Sequence, residues 1–196
     1  MDLNLSGRHA LVCGASQGIG RACAIELARL GADVTGLARR EDALRQLAGE
    51  LPRTHAAQKH GFIAADSGDT AALRAKVQAL VADAPVHVLV NNSGGPPPGP
   101  ALGARSEDFL DAYRKHLLAN HALAEAVIPG MRADNYGRIV NIISTSVKEP
   151  IAGLGVSNTT RWAVAAWAKT LAAELAPFGI TVNNVLPGST HTPRIE

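Results

Sequence analysis

The sequence predicts an α/β fold in which one doubly wound parallel sheet carries helices on both faces. Short apolar runs alternate with longer segments of helical periodicity along the 196 residues. This alternation is typical of βαβ units, whose crossovers place helices over a parallel sheet. Several of the apolar runs end in glycine, asparagine or serine, and a glycine-rich loop follows the first. The length is compatible with a single domain over 1–196.

The first half of the chain contains three predicted strands, each followed by a predicted helix. The first strand is apolar from Ala10 to Cys13, as expected of a strand that is buried on both faces. The first helix is stopped by Gly31, and either Asp69 or Thr70 is expected to cap the third helix. The predicted strands are 10–13, 33–38 and 62–65, and the predicted helices are 19–30, 41–51 and 71–82.

The second half continues the pattern after a proline-rich loop at 94–103. That loop could also be a polyproline peptide ligand, but its position inside a folded pattern favours a connection. The helix that opens at Ser106 is expected to end before Pro129. The predicted strands are 86–90, 138–143 and 181–186, and the predicted helices are 106–128 and 158–176. We predict the order 3-2-1-4-5-6 for the six strands.

Composition narrows the function classes. Lysine and arginine number 19 against 17 acidic residues, a net charge of +2, and 4% of the residues are aromatic, which does not favour a nucleic-acid binder. No apolar run approaches the roughly 20 residues that span a bilayer, and the chain start lacks a signal-peptide pattern. The two cysteines, Cys13 and Cys23, indicate reduced buried thiols rather than a disulfide framework. We therefore expect a cytoplasmic protein without a membrane or nucleic-acid partner, and the sequence has no metal-ligand spacing.

The glycine-rich loop at 14–20 points to a phosphate-binding function. Glycine permits a tight turn and lets a phosphate approach the backbone N–H groups, and the positive end of the following helix favours its negative charge. A bare glycine pattern is weak evidence, but here a strand precedes it and an amphipathic helix follows. A tight turn without a ligand is the alternative. The context favours a dinucleotide-binding domain of the Rossmann type.

The spacing Gly-x3-Gly-x-Gly at 14–20 resembles that of the short-chain dehydrogenase/reductase family. Further marks are similar: Asn91-Asn92-Ser93-Gly94 resembles the family's Asn-Asn-Ala-Gly, Ser144 matches its catalytic serine, and Pro187-Gly188 followed by Thr192 matches the loop over the nicotinamide. The resemblance implies binding of a nicotinamide cofactor at the carboxyl ends of the strands. The implied cofactor-binding residues are Gly14, Ser16, Gln17, Gly18, Ile19, Gly20, Arg39, Arg40, Asp66, Ser67, Asn92, Ser93, Gly94, Arg161, Pro187, Gly188 and Thr192.

The end of the second strand favours NADP(H) over NAD(H). An acidic residue there would bind the ribose 2′-hydroxyl, whereas arginine accommodates a 2′-phosphate. The sequence has Arg39 and Arg40 at this point and no acid, with Arg39 the favoured phosphate partner. An arginine at a solvated helix start is the alternative. Gln17 weakens the preference, because many NADP-preferring relatives have a basic residue at that position.

The resemblance breaks down at the catalytic positions. The family has tyrosine thirteen residues after the serine and lysine four further on, and these positions hold Ser157 and Arg161. The family's helical asparagine aligns with His116. A serine hydroxyl is a much weaker acid than the tuned phenol it replaces, and arginine does not readily release a proton. His116 alone has a suitable reference pKa, about 6.5, although a lone histidine on a helix is more often structural.

Two functions therefore stay open at this stage. One is an NAD(P)(H)-dependent oxidoreductase that interconverts a carbonyl and an alcohol, with Ser144, Ser157, Arg161 and His116 as candidate catalytic residues. The other is a catalytically degenerate nucleotide-binding or regulatory protein of the same fold. Both functions would keep the cofactor cleft. They differ in whether the site still has a proton donor, because the family's tyrosine is replaced.

The resemblance also implies a homodimer or homotetramer, paired through the two long helices. Trp162, Trp167, Leu171 and Leu175 are expected to exceed what one sheet face can cover. Members of the family continue past the nicotinamide loop with a lid helix and a last strand. The sequence ends at 196, so we expect either a shortened chain or a further tail.

Overall fold

The structure is a computed structural model that describes residues 3–192, and it contains one six-stranded parallel sheet in the order β3-β2-β1-β4-β5-β6. Both the fold class and the strand order predicted from the sequence are confirmed. The strands are β1 (His9–Cys13), β2 (Asp33–Ala38), β3 (His60–Ala64), β4 (Val88–Asn91), β5 (Gly137–Ile142) and β6 (Ile180–Val185). The helices are α1 (Gly18–Arg29), α2 (Glu41–Glu50), α3 (Thr70–Asp83), α4 (Ser106–Tyr113), α5 (Ala119–Ala133) and α6 (Gly155–Leu175).

Two buried clusters hold the helices against opposite faces of the sheet. One joins the sheet to α3, α5 and α6, and the other joins it to α1 and α2. Alternate residues of one strand enter different clusters, since successive side chains of a strand point to opposite faces. In β1, for example, Leu11 belongs to the first cluster and Val12 to the second. This explains why the strands are apolar at consecutive positions.

A row of asparagines aligns the carboxyl ends of three strands. Asn91, Asn141 and Asn184 are neighbours in the register of β4, β5 and β6. Asn91 Nδ2 donates to Asn141 Oδ1 at 2.8 Å, and Asn141 Nδ2 donates to Asn184 Oδ1 at 3.1 Å. Because buried polar groups are costly when unpaired, these bonds favour one register at the edge where the functional site lies.

The predicted helix 106–128 differs from the structure in two respects. A π-helical turn at Arg114–Leu118 separates α4 from α5, and α5 continues through Pro129 to Ala133. A proline inside a helix costs about 3 kcal/mol. Met131 compensates for that cost, because its side chain is fully buried in the core beyond the proline. Tertiary packing therefore outweighs the local stop signal.

The second strand has the predicted bounds, 33–38, and the boundaries of the remaining elements differ from the predicted ones by at most three residues. Helix α6 begins at Gly155 rather than at 158, which places Ser157 in its first turn. The predicted cap of α3 is confirmed for Asp69, whose side chain accepts a hydrogen bond from the N–H of Ala72 at 3.0 Å.

The proline-rich segment is a loop, as predicted, and it is attached to the start of α6. Gly99 N–H donates to the carbonyl of Gly153 at 2.6 Å, and Gly155 N–H donates to the carbonyl of Gly99 at 2.9 Å. A Cβ at Gly155 would lie 2.6 Å from Cβ of Ala101, so only glycine allows this approach. The proline-rich loop and the first turn of α6 therefore form one rigid unit.

The expectation that α6 carries surplus apolar residues is wrong for three of the four named positions. Leu175 is buried, and Trp167 and Leu171 are partly buried against the chain's own core. Trp162 is 49% exposed, and its indole N–H donates to the carbonyl of Ser146 at 2.9 Å. Within residues 3–192, no helix combines the length and the apolar character needed to cross a membrane.

Candidate functional site

One cleft of about 990 Å³ runs along the carboxyl ends of the strands. In an open α/β sheet this is the edge at which ligands bind. Gly20 is the one predicted site residue that does not line it; it is buried, and a Cβ there would lie 2.6 Å from the carbonyl carbon of Gly14. The predicted site residues that do line it are Gly14, Ser16, Gln17, Gly18, Ile19, Arg39, Arg40, Asp66, Ser67, Asn92, Ser93, Gly94, His116, Ser144, Ser157, Arg161, Pro187, Gly188 and Thr192.

The glycine-rich loop turns the chain from β1 into α1. Gly14 and Gly18 have φ values of 61° and 57°, which side chains other than glycine rarely adopt. A Cβ at Gly14 would also lie 2.8 Å from the carbonyl oxygen of Asn92. Gln17 stands at the N-cap of α1 but makes no side-chain cap. No N-cap side chain therefore occupies the first N–H groups of α1, which suit a phosphate.

Gln17 instead contacts the end of β2. Its Oε1 accepts a hydrogen bond from Arg40 Nη2 at 2.7 Å, which ties this arginine to the glycine-rich loop. Arg39 and Arg40 are both exposed, and both line the same end of the cleft. Two cations without an acid at the strand end suit a phosphate group better than a ribose hydroxyl.

The loops after β3, β4 and β6 complete the long side of the cleft. Asp66 follows β3, and its Oδ1 accepts from the N–H of Gly68 at 2.9 Å. Asn92 Nδ2 donates to the carbonyl of Cys13 at 3.3 Å, which ties the end of β4 to the end of β1. A Cβ at Gly94 would meet nothing within 4 Å, so the cleft is open beside it. Thr192 approaches the glycine-rich loop, since a Cβ at Gly18 would lie 3.4 Å from its methyl group.

Ser144, Ser157 and Arg161 lie together at the other end of the cleft. Ser144 follows β5, and its Oγ accepts a hydrogen bond from the N–H of Ser146 at 3.1 Å. Its hydroxyl hydrogen is therefore directed elsewhere. Ser157 and Arg161 occupy successive turns of α6, and the guanidinium of Arg161 donates to the carbonyl of Ile142 at 3.1 Å. Arg161 is 7% exposed, so this hydrogen bond holds a buried positive charge at the wall of the cleft.

His116 enters the cleft from the π-helical turn between α4 and α5. It is 2% exposed, and its Nδ1 lies 2.7 Å from Oγ of Ser93. Ser93 belongs to the loop after β4, so this contact joins the helix to the carboxyl edge of the sheet. The sequence predicted the two residues separately, and the structure brings them together.

Cys13 also borders the cleft, but its thiol is a weak nucleophile. Burial raises the pKa of this thiol to about 12, despite the opposing effect of the N–H of Asn92. Both Cys13 and Cys23 are free thiols. Among residues 3–192 there is no cluster of three histidine, cysteine or acidic side chains that could hold a metal ion.

Comparison with known proteins decides the family. A model of the short chain dehydrogenases matches residues 8–196. The chain belongs to the short chain dehydrogenase family. It is 38% identical over 190 residues to the granaticin polyketide synthase putative ketoacyl reductase 1 of Streptomyces violaceoruber, covering 95% of this chain and 69% of the relative. It is 35% identical to the L-xylulose reductase of Mesocricetus auratus, covering 95% of this chain and 73% of that one.

The solved structures of short chain dehydrogenases agree with this assignment. The L-sorbose reductase of Gluconobacter frateurii, complexed with NADPH and L-sorbose, superimposes with a TM-score of 0.92 at 30% identity. The match covers 99% of this chain and 74% of the other. The resemblance found in the sequence is therefore confirmed at the level of family and fold. The lid helix and the last strand that the resemblance implies lie outside the described residues, 3–192.

The sequence alone does not reveal the apolar walls of the cleft. Pro96 and Pro97 of the proline-rich loop line it, together with Ile151 and Leu154 before α6. Lys115 lines the cleft elsewhere, beside the loop after β3, where a Cβ at Gly68 would lie 3.5 Å from its Cε, and its Nζ lies 2.7 Å from the carboxylate of Asp111. The four-residue spacing of that ion pair was readable in the sequence. The apolar walls could not be predicted from the sequence, because they form only where the proline-rich loop contacts the start of α6.

Proposed function

We propose that the protein is an NADP(H)-dependent oxidoreductase that interconverts a carbonyl and an alcohol on a small-molecule substrate. One observation carries this proposal. A single cleft joins a phosphate-binding end, formed by the glycine-rich loop and two arginines, to a cluster of hydroxyl, guanidinium and imidazole groups. A cofactor and a substrate can therefore lie end to end in one space.

The cofactor end fits a dinucleotide. The uncapped start of α1 would hold the pyrophosphate, and Arg39 and Arg40 would hold a 2′-phosphate. Asp66 would contact the adenine, as the family resemblance implies, and Pro187 lies in the loop that would cover the nicotinamide. Bound NADP(H) would donate or accept the hydride. The preference for NADP(H) over NAD(H) is supported by the missing acid after β2 and by the NADPH complex of the L-sorbose reductase relative.

Ser144 is proposed to orient the substrate. Because its Oγ already accepts from Ser146 N–H, its own hydrogen can be donated to a carbonyl oxygen. That hydrogen bond would strengthen as negative charge develops on the oxygen. Ser157, one helical turn from Arg161, can donate a second hydrogen bond to the same oxygen.

Arg161 is proposed to stabilise charge and to hold a ribose hydroxyl rather than to transfer a proton. A guanidinium stays charged in proteins, so it does not act as an acid. Ser157 does not replace a phenol in this respect, because an aliphatic hydroxyl is a far weaker acid. The proposed replacement of the family's tyrosine and lysine by Ser157 and Arg161 therefore requires a different proton donor.

His116 is the proposed proton donor. Reduction needs a proton for the developing alkoxide, and imidazole titrates near neutral pH. His116 is the one histidine among the residues lining the described cleft. In the reverse direction, the same imidazole would accept the proton of the alcohol.

The proposed substrates carry a ketone. The chain's relatives include a putative ketoacyl reductase and an L-xylulose reductase, and a structural neighbour is an L-sorbose reductase. The carbonyl would lie between Ser144 and the apolar wall of Pro96, Pro97, Ile151 and Leu154. Suitable probes are an acetoacetyl thioester, L-xylulose and L-sorbose.

The test has two stages. NADPH and NADH are titrated calorimetrically, and each probe is then offered with NADPH while the absorbance of the reduced nicotinamide is followed. We expect tighter binding of NADPH and turnover of at least one probe, with kcat lowered by Ser144→Ala. Thr170→Ala is a matched control, since this exposed α6 hydroxyl bonds its own helix at Ala166, away from the cleft. Binding of NADPH without turnover of any probe would favour a regulatory nucleotide-binding protein instead.

A further inference from the structure

The contact between Ser93 and His116 has no equivalent in the sequence pattern that the family resemblance supplies. The resembling motif has alanine at the position of Ser93 and asparagine at that of His116. Both positions differ in this chain, and the two side chains meet with Oγ and Nδ1 2.7 Å apart. We propose that Ser93 is a positioning residue that fixes the tautomer and the ring orientation of His116 for proton transfer. This inference rests on the proposed function of His116.

The surroundings of His116 leave little freedom to its ring. The residue is 2% exposed and lies in a π-helical turn, a feature that is frequent at functional sites. A buried imidazole needs partners for its polar atoms, and Ser93 provides one for Nδ1. The hydrogen bond therefore has both a structural and a chemical consequence.

Ser93 itself stands on a rigid support. The preceding residue, Asn92, is bonded through its side chain to the carbonyl of Cys13, and Asn91 ends β4 in the row of hydrogen-bonded asparagines. The backbone at Ser93 is thus held against the sheet, and its hydroxyl reaches His116 from there. The orientation of His116 is then set by the same sheet edge that carries Ser144.

The hydrogen-bond direction follows from the proton cycle. We assign Nδ1–H as the donor and Ser93 Oγ as the acceptor, so that the neutral imidazole keeps its proton on Nδ1. Nε2 is then the nitrogen that exchanges the proton. During reduction, the Nε2–H bond of the imidazolium breaks and an O–H bond forms on the alkoxide, while Nδ1–H remains bonded to Ser93. Oxidation of the alcohol reverses these steps.

The experiment reads the tautomer directly and uses the whole chain. Histidine 15N shifts are recorded for the unmutated protein and for Ser93→Ala, Ser93→Thr and Thr170→Ala, and the signal of His116 is assigned by its loss in His116→Asn. We expect the neutral Nδ1–H form in the unmutated protein and in Ser93→Thr. In Ser93→Ala, which introduces the residue of the resembling motif and should fold, we expect a shift to the Nε2–H form.

Kinetics with NADPH and a turned-over probe test the consequence. We expect Ser93→Ala to lower kcat by about 10-fold, the lower end of the loss seen when the hydrogen-bond partner that orients a metal-bound histidine is removed. KM for the probe should change less than twofold, Ser93→Thr should restore most of the rate, and Thr170→Ala should have no effect. An unchanged tautomer in Ser93→Ala, or an altered tautomer with unchanged kcat, overturns the inference but not the proposed function. If no probe is turned over, the proposed function fails, and the role of Ser93 in catalysis fails with it.

Discussion

The cofactor preference gives the sharpest quantitative prediction. Arg39→Ala and Arg40→Ala each remove one of the two cations after β2, and we expect both to weaken NADPH binding selectively. The larger loss is expected at Arg39, which follows the strand directly. Arg40→Ala also releases Gln17, whose Oε1 accepts the 2.7 Å hydrogen bond from this arginine.

The size of the effect follows from exposure. A hydrogen bond to a charged group contributes about 1.5–3 kcal/mol when partly buried, whereas exposed ion pairs contribute about 0–1 kcal/mol. Both arginines are exposed, so we expect a loss of about 1 kcal/mol for Arg39→Ala, roughly a five-fold increase in Kd for NADPH, and a smaller loss for Arg40→Ala. The Kd for NADH, which lacks the 2′-phosphate, should change less than two-fold.

The assay is calorimetric titration of NADPH and NADH at two salt concentrations. Arg45→Ala is the matched control, because Arg45 is an exposed α2 residue paired with Glu41 at 2.7 Å and does not line the cleft. The preference for NADPH over NADH should weaken at high salt, because salt screens the interaction between exposed charges. Equal Kd values for the two cofactors in the unmutated protein would refute the reasoning, as would parallel losses for NADH in the variants.

Three further predictions concern catalysis, acid stability and assembly. In a His116→Asn background, where the proposed proton donor is absent, adding Ser157→Tyr and Arg161→Lys should raise kcat for simple ketones by about 10²–10⁴, and adding Arg161→Lys alone should do little; an unchanged rate after adding both changes would contradict this. Burial lowers the pKa values of His9 and His87 below their usual range, against the opposing effects of Asp33 on His9 and Asp134 on His87. Below about pH 6.5 the unfolded chain therefore binds more protons than the folded chain does. The free energy of unfolding measured with urea should fall as pH drops from 7 towards 5, by up to about 1.4 kcal/mol per pH unit for each histidine. A free energy of unfolding that does not change over this range would contradict the prediction. Light scattering at micromolar concentration should show a homodimer or homotetramer that Trp162→Glu weakens, and a monomer in the unmutated protein would refute the expected pairing.

The fold was predictable because its signals are local and repeated. A strand such as β1 is apolar at consecutive positions, and the glycine-rich loop specifies the turn into α1. The sequence could not reveal that α5 continues through Pro129, because that depends on the burial of Met131 in the core. Nor could it show that Trp167 packs inward, since helical periodicity does not distinguish the sheet from a partner subunit.

The site was predictable in its parts but not in its contacts. Residues at the carboxyl ends of parallel strands meet at one edge, so Ser144 and Ser93 could be placed in one cleft from the sequence. The inward position of His116 depends on the π-helical turn, which uniform helical spacing does not predict. The apolar wall around Ile151 likewise depends on the backbone hydrogen bonds between Gly99 and Gly153.

The contact between Ser93 and His116 also bears on whether the proposed replacement of tyrosine and lysine means a loss of activity. A cleft that only bound nucleotide would need no ionisable side chain on its wall. Yet His116, a buried imidazole, lines this cleft, and its Nδ1 lies 2.7 Å from Oγ of Ser93, which stands 23 residues earlier in the chain. Burying an imidazole costs free energy unless its polar atoms are bonded. A buried His116 without a hydrogen-bonding residue at position 93 would therefore be disfavoured. The pairing therefore favours a proton donor that has moved from α6 to the turn between α4 and α5 over a cleft that only binds nucleotide.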